Sequence, residues 1–240
     1  MAKINTLLLT GENNHDWRRS APYIKRLLED SGAFSVTISE NPSETLADAA
    51  ALRQYQLFFL DYNGPDWSEH AKVNFETAVR GGTGLVALHA ANNGFKGWVE
   101  CEKMLGLMWR EGAGHGEFHE FEVKIIDRNH PITQGIADFK TWDELYHKLT
   151  PMHGQQLHVL ATAYSDPKKG GSGRDEPMML VNQYGKGRVF HQILGHVWPG
   201  DPTGGYKGAS MIALENEGFT STLVRGCAWA ATGKIGEVDC

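Results

Sequence analysis

Three histidines follow or close apolar runs: His15 comes after residues 4–10, His89 ends the run 85–88, and His196 follows 189–194. Neutral imidazole is the commonest metal ligand and changes charge near pH 7, so three on one rim would make an acid–base or a metal site. His89 is the sharpest of them. A glycine turn feeds Leu85-Val86-Ala87-Leu88, and His89 is followed by Ala90-Ala91-Asn92-Asn93. Four apolar residues are too few for a helix and suit a strand buried on both faces of a parallel sheet. The small residues beyond allow the tight strand-to-helix turn by which α/β enzymes present one side chain at the carboxyl edge of a sheet.

Asp143 and Glu144 form an adjacent acidic pair. In an extended segment their side chains point to opposite faces, so one of them is expected to enter a site. A one-residue slip in register reverses which one. His115 and His119 flank a glycine-rich stretch, 112–119, read as a flexible loop able to close over a ligand. Four apart on a helix they would share a face, as zinc ligands do, but the glycines argue against a helix. His15 with Asp16, Asn92 and Tyr146 complete the candidate contacts; Asp16 read plainly is a loop hydrogen-bond partner, and Tyr146 either orients a substrate hydroxyl or packs in the core. Trp17, Trp67 and Trp198 all fall in rim loops, where rings suit sugar faces as well as ordinary packing. There is no Gly-x-Gly-x-x-Gly after the first strand, no Walker loop and no Gly-x-Ser-x-Gly elbow. Cys101 and Cys227 fall in helical patterns and read as structural.

The elements that must position these residues alternate. Strands are expected at 4–10, 34–39, 57–62 and 85–88, with helices between them: one capped by Ser20 with Pro22 just inside, one over 43–52 and one over 68–80 stopped by Gly81 and Gly82. That alternation predicts a parallel, doubly wound sheet. Beyond it come a short helix at 98–105, a half-exposed strand at 120–126, a strand at 158–164, a hairpin around Tyr184-Gly185-Lys186-Gly187 and a closing helix at 219–231.

At 240 residues the chain fits one large domain. A net charge of −6 argues against a nucleic-acid partner. No apolar run approaches the roughly 20 residues that span a bilayer. The N-terminal residues lead straight into a strand pattern, so no secretory signal is expected. Three widely spaced cysteines, Cys101, Cys227 and Cys240, offer no disulfide framework, which fits a reducing cytoplasm.

The segments Gly82-Thr83-Gly84-Leu85-Val86-Ala87-Leu88-His89-Ala90-Ala91, His130-Pro131-Ile132-Thr133-Gln134-Gly135-Ile136, Asp143-Glu144-Leu145-Tyr146, Tyr184-Gly185-Lys186-Gly187 through Gly195-His196, and Arg225-Gly226-Cys227-Ala228-Trp229-Ala230-Ala231 resemble, in this order, the ThuA-like family, named for trehalose utilisation. Each motif alone is weak; the ordered combination, over nearly the whole chain, is specific. The resemblance implies a single ThuA-like domain over 1–240. It also implies an α/β, flavodoxin-like, doubly wound and mainly parallel sheet of the class I glutamine amidotransferase type, with added antiparallel strands. In that superfamily a cysteine occupies the elbow. Here His89 stands there, and no acidic partner follows His196, so glutaminase chemistry is not implied.

The resemblance implies carbohydrate utilisation, on a disaccharide or its 3-keto form. A 3-keto sugar has an acidic proton beside its carbonyl, which a general base with an electrophile or metal can remove. The expectation is therefore a sugar-modifying hydrolase, lyase or isomerase with His89, His196, Glu144 and Asp143 as catalytic candidates. His15, Asp16, His115, His119, Tyr146 and Asn92 are the substrate contacts, and His15, His89 and His196 are candidate ligands for a divalent metal. The partner expected is a small sugar, and the class is compatible with a homo-oligomer. One rival is a non-catalytic sugar-binding or regulatory protein. The other is a hydrolase with an unrecognised nucleophile, which would need Cys101 or Cys227 at the rim.

Overall fold

Nine strands form one mixed sheet, and their order explains how distant histidines meet. The computed structural model describes residues 2–236; Cys240 lies outside them. The first part alternates: β1 (Ile4–Leu9), α1 (Trp17–Asp30), β2 (Phe34–Ser39), α2 (Pro42–Thr45), α3 (Ala49–Leu52), β3 (Leu57–Leu60), α4 (Glu69–Gly81) and β4 (Gly84–Leu88). A single 3₁₀ turn, His89–Asn93, leads to α5 (Val99–Leu105). Then come β5 (Leu107–Met108), β6 (Gly114–Ile125), β7 (Phe139–His147), β8 (Thr150–Pro151), β9 (His158–Tyr164), β10 (Asp175–Tyr184), β11 (Gly187–Gln192) and α6 (Glu217–Thr232).

The sheet order is β2-β1-β3-β4-β11-β10-β9-β6-β7, and β5 pairs with β8 apart from it. β1, β2, β3, β4 and β11 run parallel; β10, β9, β6 and β7 extend the sheet antiparallel. The central strands β3 and β4 are apolar and buried on both faces because both are covered, whereas the edge strand β2 alternates buried with exposed residues. Along β1, Leu8 joins α1 and α6 residues such as Ile24 and Val224, whereas Leu7 and Leu9 join α4 and α5 residues such as Phe75 and Met104. Each such fully buried leucine contributes about 1.5–3 kcal/mol.

Several boundaries differ from the sequence expectation. Ser20 is not a cap: α1 begins at Trp17, and the Ser20 hydroxyl, inside the helix, donates to Asp61 Oδ2 at 2.7 Å. The helix expected over 43–52 is two short ones, because the Asp48 carboxylate accepts from Ala50 and Ala51 amides and starts a new turn. β3 stops at Leu60, which leaves Asp61 at its carboxyl end. The stretch 112–119 is largely strand, since β6 begins at Gly114, and its ladder with β7 is bulged between His115 and Phe118.

Candidate functional site

β4 delivers His89 in the left-handed region, φ 42°, a conformation that costs a non-glycine residue free energy and is held where surroundings over-determine it. The hold is visible. His89 Nδ1 donates to the Ile193 carbonyl at 2.7 Å, and the Tyr146 ring stacks on the imidazole at 4.1 Å. Nδ1 carries the proton, because a carbonyl only accepts. His89 Nε2 is thus a bare lone pair, buried without a hydrogen-bond partner.

The chain leaving β11 turns at Gly195, φ 125°, where a Cβ would sit 2.9 Å from Leu88 Cδ1. Asp143 fixes this turn from behind, accepting from the amides of Gly195 (2.7 Å) and His196 (3.3 Å). Burial pushes the Asp143 carboxyl up to about 6, against the pull of His196 and those amides.

His15 sits on the loop after β1. Its amide donates to Asn13 Oδ1, and Asn13 Nδ2 donates to the buried Asp61. His15 Nδ1 donates to Asn14 Oδ1 (3.2 Å), which also accepts from Asn63 Nδ2. His15 Nε2 therefore accepts from His196 Nδ1 at 3.0 Å, and the same His196 nitrogen lies 3.1 Å from Glu144 Oε2. Burial, then the His196 and His115 imidazoles, depress His15 to about 3; burial and the neighbouring histidines hold His89 well below its usual value. Both rings are neutral at pH 7. Burial and the nearby acids push the Tyr146 phenol up, so it keeps its proton.

Above this chain of groups lies a cavity. His15, His115, Glu144 and Tyr146 line it, with Trp109 and Trp198 as walls and Asn14 and Asn93 at its edge. Trp198 stacks flat on His15 at 5.1 Å, and Trp109 meets Tyr146 edge-on at 4.6 Å. His115 Nδ1 is 3.5 Å from Glu144 Oε2. His89 and His196 do not line the cavity; they are buried directly beneath it.

The structure therefore brings His15, His115, Glu144 and Tyr146 to the cavity wall with His89 and His196 directly beneath, and leaves the other four sequence candidates away from this cluster. Asp143 is behind the site, on the opposite face of β7 from Glu144. Asp16 is paired with Arg19 at 2.7 Å and does not reach the cavity. Asn92 is wholly buried behind the turn, with Nδ2 3.4 Å from His191 Nε2; its neighbour Asn93 takes the rim position. His119 faces away. It pairs across the ladder with Asp143, whereas His115 pairs with Tyr146 and Phe118 with Glu144. The extra residue in the bulge puts His115 and His119 on opposite faces despite their even spacing. Trp67 is buried among Phe75, Phe95 and Trp98, and Trp17 lies under Arg18, so Trp198 is the rim tryptophan at the site. Cys101 and Cys227 are buried in α5 and α6, with thiols pushed up by burial.

Trp109, Asn14, Asn93 and Phe118, whose ring lies 5.5 Å from His196, were missed by sequence reasoning. Nothing local marks Trp109. Phe118 was recognisable from the bulge alone, for which Gly116 is the sequence signal.

Residues 5–201 match the model of a family described as ThuA, trehalose utilisation. The crystal structure of a ThuA-like protein from Parabacteroides merdae is 34% identical, with a TM-score of 0.85 over 98% of this chain and 92% of that one. A ThuA-like protein from Bacteroides uniformis is 19% identical, with a TM-score of 0.69 over 95% and 91%. A cytoplasmic protein from Salmonella typhimurium is 16% identical, with a TM-score of 0.60 over 93% and 99%. The last two establish the fold alone. No curated protein matches the chain. By its family match over most of its length and its likeness to the Parabacteroides protein, this chain belongs to the ThuA family.

Proposed function

We propose that this chain is a carbohydrate-utilisation enzyme acting on a disaccharide or its 3-keto derivative by histidine–carboxylate acid–base chemistry. The observation that carries this reading is the buried series His15–His196–Glu144 opening into a polar cavity with aromatic walls. Trp109, Trp198 and Tyr146 offer ring faces to a sugar's C–H surfaces, and Asn14, Asn93 and His115 offer hydrogen bonds to its hydroxyls. The family description, trehalose utilisation, supports the substrate class. The strand order β2-β1-β3-β4-β11 supports a flavodoxin-like reading of the parallel half.

Glu144 is the base. It takes the proton from the carbon beside the keto group, and the C–H electron pair passes into an enolate. In elimination the enolate expels the glycosidic oxygen, and His115, beside the same carboxylate, hands that oxygen a proton. In isomerisation the enolate oxygen takes a proton, the hydroxyl on the neighbouring carbon gives one up to become the new carbonyl, and Glu144 returns its proton to the former carbonyl carbon. His196 positions Glu144, and His89 positions Tyr146 by stacking.

Glu144→Gln is expected to lower kcat on 3-keto-trehalose by at least about 100-fold while sugar binding persists. Unchanged turnover in that variant would remove Glu144 from the mechanism. Saturable sugar binding without turnover by the native protein would favour the rival reading, a non-catalytic sugar-binding protein on an amidotransferase-like fold. No helix among the described residues is long and apolar enough to cross a membrane.

A further inference from the structure

We infer that His15, His89 and His196 hold one divalent transition-metal ion, with an open coordination position towards the cavity. The three rings each place a nitrogen within 4.8 Å of the other two, and all three residues are buried. Among the described residues this is the one group of histidines, cysteines and acids so arranged. Points no more than 4.8 Å apart lie at most about 2.8 Å from a common centre, against about 2.1 Å for a zinc–imidazole bond, so small ring movements close the site.

Two further observations point to an ion. First, His89 Nε2 is a buried lone pair with no partner, aimed into the cluster, while its other nitrogen is tied to the Ile193 carbonyl. His15 is tied in the same way through Nδ1 to Asn14. Metal-binding histidines are oriented by such outer hydrogen bonds. Second, the buried Glu144 carboxylate beside the cluster meets only His115 and His196, and among the described residues no lysine or arginine. Buried carboxylates are paired or accompany a metal, and a divalent ion supplies the missing positive charge.

Imidazole nitrogens select zinc, iron, nickel or copper over magnesium or calcium. Three protein ligands leave a fourth position, as in catalytic rather than structural sites. Glu144 lies 3.1 Å from His196 Nδ1 and is placed to accept a proton from a water or sugar hydroxyl held there.

The test uses the full chain, stripped with chelator, loaded with Zn²⁺ or Mg²⁺, desalted and analysed for metal, with Co²⁺ absorption reporting coordination. One Zn²⁺ per chain is expected, no retained Mg²⁺, and the visible bands of tetrahedral cobalt. His89→Gln and His15→Gln should each weaken Zn²⁺ binding by more than about 100-fold. His15 is on a loop, so its variant stays informative where His89→Gln fails to fold. No retained zinc, equal retention of magnesium, or unchanged binding in both variants would overturn the site. The readout is metal rather than sugar turnover, so this site and the proposed reaction fail separately.

Discussion

Asp61 never meets the cavity, yet it governs a residue that does. Its two oxygens accept from Ser20 and Asn13, and Asn13 in turn holds the His15 amide. Burial raises its carboxyl from 3.8 to about 6. A carboxyl whose folded value lies above its unfolded one contributes stability that is complete below pH ~4 and is lost as pH rises through about 6. A shift of that size is worth about 2–3 kcal/mol at most. Urea midpoints measured between pH 4 and pH 8 should therefore fall more steeply in the native protein than in Asp61→Asn, whose side chain carries no titrating proton. Equal slopes would mean that Asp61 does not carry the pH dependence. Because the same side chain braces the His15 loop, the variant is also expected to lose Zn²⁺ affinity, though less than His15→Gln does.

Elements place the site through their ends. The convergence of His15, His89 and His196 was legible because each follows an apolar strand, and strand ends of a doubly wound sheet share a rim. The face that His119 takes was not legible. The sequence reading put it with His115 on one flexible loop, whereas the stretch is strand and a bulge set by pairing with a distant strand turns the two to opposite faces. Ser20 misled for a similar reason: its hydroxyl satisfies a carboxylate on another strand rather than its own helix start. Asp143 and Glu144 do point to opposite faces, but the buried turn at Gly195 gives both work, one holding backbone amides and the other the His196 ring. That turn leaves little room for a side chain. Gly195→Ala adds a Cβ at a positive φ and against Leu88, so a loss of about 1–3 kcal/mol is expected. Displacing His196 should cost it more activity than a core truncation of equal Tm loss. Thermal melts set beside turnover on a 3-keto disaccharide decide this: activity that follows Tm alone would leave the turn a purely structural role.

At the scale of the whole molecule the site is a seam. The parallel half supplies His15, His89 and His196, and the antiparallel extension supplies His115, Glu144 and Tyr146. The two halves are visible in sequence as a change of pattern after residue 93, but their order in the sheet is not. β11 inserts beside β4 after some 100 intervening residues, and such non-local pairings carry no local signal. The halves nevertheless share one core. Leu8, Phe59 and Val86 of the parallel strands belong to the same buried cluster as Leu160, Met179 and Leu145 of the extension. A core continuous across the seam makes the extension and the parallel sheet unfold together. Leu160→Ala, at a fully buried position that does not line the cavity, should then cost about 2–5 kcal/mol and lower the whole transition, with turnover at low temperature little changed. Trp109 and Trp198 sit at the seam, so their near-ultraviolet signal should fade together with the far-ultraviolet signal of the helices. An early loss of the tryptophan signal, with helical signal retained, would mean that the seam opens by itself and that the shared core does not couple the halves.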